Sequence, residues 1–200
     1  MTISPLFINT RPRHKADISL VINTINLPLL AIRHFDELNG SEIQDLVDFV
    51  QGKFGTLIVV SVEAVACAVH FLKKQNIHHA CNIPHHDTLN VIAVGQTTAD
   101  ALVDFGFSVL TPFDVGCQMS NEGMLAMPAI NELHVGDDVL IWRGVDGRSL
   151  LSDTLIKRGV NVHAIAFYER FVPSELSDDF ARLLGNIDKS LDNTFNGTQN

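Results

Sequence analysis

DVLIWRGVDGRSLLSDTLIKRGVNVHAIAFYER, residues 138–170, is the stretch from which the fold is read. Asp138–Trp142 is a short apolar, β-branched run and predicts a strand. Gly144 and Gly147 then lead into Ser149–Arg158, whose apolar residues recur at helical spacing until Gly159 stops them. Val160–Phe167 predicts the next strand. Strand, helix and strand joined by short glycine- and serine-bearing links are the signature of a parallel α/β sheet.

The same alternation continues outward. Leu57–Val60 predicts a strand, and Ser61 is placed to cap a helix carrying Ala64, Val65, Ala68, Val69 and Leu72, with Lys73 and Lys74 at its carboxyl end. Leu89–Val94 predicts another strand, closed by Gly95. Thr97 with Asp100 three residues on has the spacing of a capping box, opening a helix through Ala101, Leu102 and Phe105 that stops at Gly106. Phe107–Leu110 reads as a short strand, and Ser120 as the cap of a helix through Met124, Leu125 and Met127. The ends differ. Leu6–Thr10 predicts a strand, Asn23–Ile32 and Phe171-Val172-Pro173 are extended, and Glu175–Leu184 predicts a short amphipathic helix. The polar tail Ser190–Asn200 is expected to be disordered.

Composition narrows the function. Of 200 residues, 46% are hydrophobic and 18% charged, enough apolar surface to exclude a disordered chain. A formal net charge of -9, with no basic stripe, excludes a duplex nucleic-acid binder. The apolar runs Thr56–Val60 and Val139–Trp142 are far too short to span a bilayer, so no membrane partner is expected. Met1–Asn9 has no basic residue ahead of its apolar stretch and does not read as a signal peptide. Three widely spaced cysteines, Cys67, Cys81 and Cys117, point to reduced thiols in a cytoplasmic protein.

Candidate chemistry gathers where strands give way to helices: Ser61, Gly95 with Thr97 and Thr98, and Gly147. In a parallel sheet these turns lie at the carboxyl edge, where free N–H groups and helix dipoles favour carboxylate or phosphate; taken one at a time, each is more simply read as plain helix capping. Gly95-Gln96-Thr97-Thr98 fits neither phosphate-loop nor dinucleotide fingerprints. His78, His79, Cys81, His85 and His86 crowd one segment with donor types suited to zinc, but without a separated second ligand pair they read as loop composition, and no metal is expected. Tyr168, the sole tyrosine, ends a strand and offers a phenol that can donate a proton, or is simply an aromatic with a wet hydroxyl. Arg143 and Arg148 flank Gly144–Gly147, where they grip a carboxylate or pair with Asp146 and Asp153.

Taken together, Thr10-Arg11-Pro12, Leu27-Pro28-Leu29-Leu30, Ala93-Val94-Gly95 with Thr98-Ala99, SNEGML at 120–125, LIWRGVDGRSL at 140–150, Arg158-Gly159 and Tyr168-x-Arg170 resemble the uroporphyrinogen-III synthase family. The resemblance covers roughly residues 6–175. It implies two flavodoxin-like α/β lobes, each a parallel sheet with helices on both faces, joined by two extended linkers. Lobe two would be complete over 35–170, and lobe one, from 1–34 and 171–200, incomplete. Only Arg13–Asn26 separate the first two motifs, and the polar tail stands where the family completes lobe one. The implied activity is that of a lyase of tetrapyrrole (heme) biosynthesis, which cyclises hydroxymethylbilane to uroporphyrinogen III with inversion of its terminal ring D and without a cofactor. Tyr168 maps onto the family's candidate acid. Thr10, Arg11, Ser61, Gly95, Thr97, Thr98, Arg143, Gly147 and Arg148 become substrate contacts, and hydroxymethylbilane synthase, the preceding enzyme, a candidate partner. Glu63 stands where the family more often has Asn. The alternative is an inactive or truncated lobe that binds tetrapyrrole or another anion. A response-regulator module ranks last, for want of an acidic phosphate-acceptor cluster.

Overall fold

Fully apolar runs four residues long cannot face water on either side, and they form the centre of the sheet. A computed structural model describes residues 7–11, 24–74 and 89–196. These divide into two compact units, one falling within Met1–Arg33 and Arg170–Asn200, the other within His34–Glu169. The histidine and cysteine cluster at 78–86 lies outside the described residues, as do Leu6 and Pro12.

In chain order the elements are β1 (Phe7–Asn9), β2 (Thr24–Asn26), β3 (Ala31–His34), α1 (Gly40–Val50), β4 (Thr56–Val59), α2 (Val62–Lys74), β5 (Asn90–Ala93) and α3 (Gln96–Val103). There follow β6 (Val109–Leu110), a 3-10 turn (Pro112–Val115), α4 (Asn121–Ala126), α5 (Pro128–Asn131), β7 (Asp138–Gly144), α6 (Leu150–Lys157), β8 (Asn161–Phe171) and α7 (Leu176–Asn196).

The larger sheet runs β3-β8-β7-β4-β5-β6. Strands β4 to β8 pair in parallel, Leu57 opposite Val91 on one side and Leu140 on the other. Counted in chain order these five stand 3-2-1-4-5. The order reverses between β4 and β7, which makes their carboxyl ends the switch point of an open α/β sheet. Both faces are covered. Ile58, Ile92 and Ile141 pack with Met124, Met127 and Ile130 of the α4–α5 region and Leu151 and Leu155 of α6. On the other face Trp142 meets Phe49 of α1 edge-on at 5.4 Å and Phe167 of β8 at 6.1 Å, and Phe167 meets Phe71 of α2 at 5.9 Å. Each such aromatic pair adds about 0.5–1.5 kcal/mol beyond its buried area.

Two sequence expectations need correcting here. The helix after β5 is capped by Gly95, not Thr97: Gly95 is extended at φ -157, and its carbonyl already accepts from Thr98 and Ala99. Asp100 accepts from the Gln96 side chain at 2.8 Å instead of closing a capping box. The second concerns the tail, where α7 continues to Asn196 and is not disordered from Ser190. Its apolar residues Leu183, Ile187, Leu191 and Phe195 recur every fourth position, a helical period that the Asn- and Thr-rich composition disguises.

In the first unit β1 and β2 pair in parallel, Ile8 opposite Ile25, and the Asn9 amide donates to Asn26 Oδ1 at 2.9 Å. Leu27 and Leu183 are buried there, while Phe7, Ile8, Phe180 and Leu184 remain exposed. Two strands of three residues are fewer than a sheet needs to stand alone.

Candidate functional site

At the switch point, the end of β4 passes through Val60 to Ser61, whose hydroxyl oxygen accepts the N–H of Ala64 at 3.1 Å and so caps α2. The same oxygen accepts the Tyr168 hydroxyl at 2.9 Å. Tyr168 reaches it because β8 bulges. Arg143 pairs with Ala166, but Gly144 pairs with Tyr168, leaving Phe167 as the extra residue. A bulge breaks the in–out alternation of a strand, and two successive aromatics, Phe167 and Tyr168, are both buried. Gly144 makes room for the phenol. A Cβ at that position would lie 2.6 Å from Tyr168 Cε2 and 2.7 Å from Cζ. Three parallel strands thus bring Ser61, Gly144 and Tyr168 to one point.

Arg143 does not project a free guanidinium. It donates to the carbonyls of Gly144 at 3.0 Å, Val145 at 3.2 Å and Gly147 at 2.7 Å. Its work in this structure is to hold the β7–α6 turn, rather than to pair with Asp146 or Asp153. Arg148 is exposed and lies 3.9 Å from Glu122 of α4. Glu122 is held below the usual carboxylate range by its own backbone N–H, then by Ser120 and the Arg148 charge. At the β5–α3 turn Gly95 is half-buried beside Met119, Thr97 is exposed and Thr98 is buried. Thr10 and Arg11 belong to the first unit. The Thr10 carbonyl accepts from Leu29, and the Arg11 N–H donates to Asn9 Oδ1 at 3.2 Å.

Two participants have no counterpart among the sequence candidates. Gly144 is one; the only hint of its role is the aromatic pair two dozen residues on. The other is His34 at the end of β3, whose Nε2 stands 3.2 Å from Glu63 Oε2 in the first turn of α2.

Cys67, one turn after Glu63, is buried, and that burial, helped by the Glu63 charge, pushes its thiol up to about 11. Cys67 and Cys117 are free. Among the described residues no group of three or more His, Cys, Asp or Glu is placed to hold a metal ion, and no helix is long and apolar enough to cross a membrane. A cavity of about 500 Å³ at the opposite edge of the sheet is lined by Glu132, Asp137 and Asp138, with Lys53 as its cation; an anionic ligand is disfavoured there.

The fold and this corner define a class: α/β proteins with a parallel, doubly wound sheet whose ligand edge carries capped helix termini and a buried tyrosine. Comparison with known proteins narrows the class. The family model for uroporphyrinogen-III synthase HemD matches residues 19–192. Uroporphyrinogen-III synthase of Escherichia coli (strain K12) is 32% identical over 134 residues, 66% of this chain and 50% of that protein. The Proteus mirabilis enzyme of the same name is 32% identical over 98 residues, 48% of this chain and 46% of its own. A crystal structure of a mutant uroporphyrinogen III synthase from the extreme thermophile Thermus thermophilus superposes with a TM-score of 0.58 at 15% identity, covering 86% of this chain and 64% of that one. The chain belongs to the uroporphyrinogen-III synthase family. It spans about half the length of these curated relatives.

Proposed function

We propose that the protein is a uroporphyrinogen-III synthase, a cyclising lyase that closes hydroxymethylbilane into uroporphyrinogen III with ring D inverted, without a cofactor. The observation that carries this reading is the Tyr168–Ser61 hydrogen bond at the switch point, in a chain of this family. Loss of the terminal hydroxyl from the linear tetrapyrrole leaves a cation stabilised by the pyrrole nitrogen. The far ring attacks through its substituted carbon, and the resulting spiro intermediate fragments and recloses inverted. Unassisted closure gives isomer I, so the protein supplies conformational control and help to the leaving group. Tyr168 is buried and Ser61 only half-buried. The proton therefore leaves from Ser61 to the departing hydroxyl, which becomes water, while Tyr168 restores the Ser61 proton.

The substrate's carboxylates are received by Gly95 and Thr97 at the β5–α3 turn, by Arg148, and by Thr10 and Arg11 of the first unit, whereas Thr98 and Gly147 spend their N–H groups on the carbonyls of Gly95 and Gly144. Arg143 acts by holding the Gly147 turn. His34–Glu169 serves as the complete lobe, flavodoxin-like in its layering though its strand order is 3-2-1-4-5 rather than 2-1-3-4-5. The first unit holds a two-stranded sheet among its described residues. Work in the cytoplasm beside hydroxymethylbilane synthase, which makes this unstable substrate, completes the proposal. A second reading is favoured by the two-stranded sheet among the described residues of the first unit: a lobe that binds tetrapyrrole without inverting a ring.

The test generates hydroxymethylbilane in situ and follows isomer III. Tyr168→Phe is expected to slow its formation by about 10²-fold, the usual worth of a positioned acid. An unchanged rate removes the acid role from Tyr168. Isomer I alone from the wild-type chain leaves only the second reading.

A further inference from the structure

The first turn of α2 is held from two sides. Tyr168 of β8 bonds Ser61, and His34 of β3 bonds Glu63, two residues further along the same turn. These struts are neighbours, because the N–H of Phe35, next to His34, donates to the carbonyl of Phe167, next to Tyr168, at 3.0 Å. The Glu63 side chain is only 14% exposed, against 55% for His34. A carboxylate in the first turn already satisfies the positive end of a helix. A ligand carboxylate placed at this corner shares the first turn of α2 with Glu63, and the two like charges repel, the more so in a low local dielectric.

We infer that Glu63, held in place by His34, is a specificity-determining residue that turns ligand carboxylates away from the Tyr168–Ser61 corner. The part of the tetrapyrrole seated there is then its uncharged ring framework and leaving hydroxyl, and its acidic side chains are directed elsewhere on the sheet edge. Discrimination of this kind works by repelling the wrong placement rather than by improving the right one. The inference rests on the functional reading above and adds to it a rule for ligand orientation.

The test is porphyrin selectivity, measured by fluorescence titration. The probes are uroporphyrin III and coproporphyrin III, the latter carrying methyl groups where the former carries acetates. Glu63→Gln is expected to tighten uroporphyrin by about threefold to tenfold and coproporphyrin by less, the scale of one partly exposed charge. His34→Lys, which sets a fixed cation against Glu63, is expected to tighten uroporphyrin as Glu63→Gln does. High salt narrows all these differences. Equal effects on both porphyrins, or none from Glu63→Gln, overturn the orientation rule alone. If neither porphyrin binds the wild type or any variant, the functional reading falls and the rule with it.

Discussion

At Gly144 a single hydrogen decides whether the site can form. The Tyr168 ring occupies the space where a methyl group would stand, so Gly144→Ala must push the phenol off Ser61. We expect a loss of about 1–3 kcal/mol in urea unfolding, the range for overpacking. Removing the ring in Gly144→Ala/Tyr168→Ala should cancel most of the added loss; strictly additive losses would mean that the ring is not what the methyl strikes. Cys67 gives a second prediction. Its thiol is raised to about 11 in the folded protein, by burial first and the Glu63 charge second, from an ordinary value of 9.0. The unfolded chain therefore loses its proton first as pH rises. The stabilisation is complete below about pH 9 and fades between there and pH 11. Unfolding midpoints across that window should fall more steeply for wild type than for Cys67→Ala, and parallel curves would contradict the assignment.

The elements differ in how plainly they can be read before a structure exists. Strands β4, β5 and β7 are short buried runs between turn residues, and the sequence places each within a residue or two of its observed bounds. Ser120 caps α4 as its position suggests, its hydroxyl oxygen accepting the N–H of Gly123 at 3.0 Å. No element is assigned from sequence to Gly40–Val50, yet α1 opens on a full capping box, Asn39 with Glu42. That four-residue signal was there to be found, ahead of a helix whose Leu46 and Phe49 are buried. The β8 bulge is another matter. It depends on which residue of β7 lies opposite, a pairing that no local pattern encodes. For the same reason the Ser61 and Tyr168 candidates are legible singly, but their hydrogen bond is not. The His34–Glu63 contact likewise joins residues that only the tertiary fold makes neighbours. Helix α7 makes a checkable claim at this scale: amide exchange should stay slowed beyond Leu184 toward Asn196, whereas free exchange from Gly185 onward would restore the short helix that composition suggests.

For the molecule as a whole, a net charge of -9 is at odds with a polycarboxylate substrate unless positive potential is focused locally. Helix termini at the carboxyl edge of the parallel sheet provide such focusing, and the acidic lining of the opposite edge accounts for part of the negative total. The first unit raises the sharper question, since among its described residues a two-stranded sheet with exposed Phe7 and Ile8 contributes little core. Whether this chain controls ring D is settled by one quantity, the ratio of uroporphyrinogen III to isomer I when hydroxymethylbilane is made in its presence. The account predicts a clear excess of III over the protein-free reaction. Isomer I alone, from a chain shown to be folded, would contradict it.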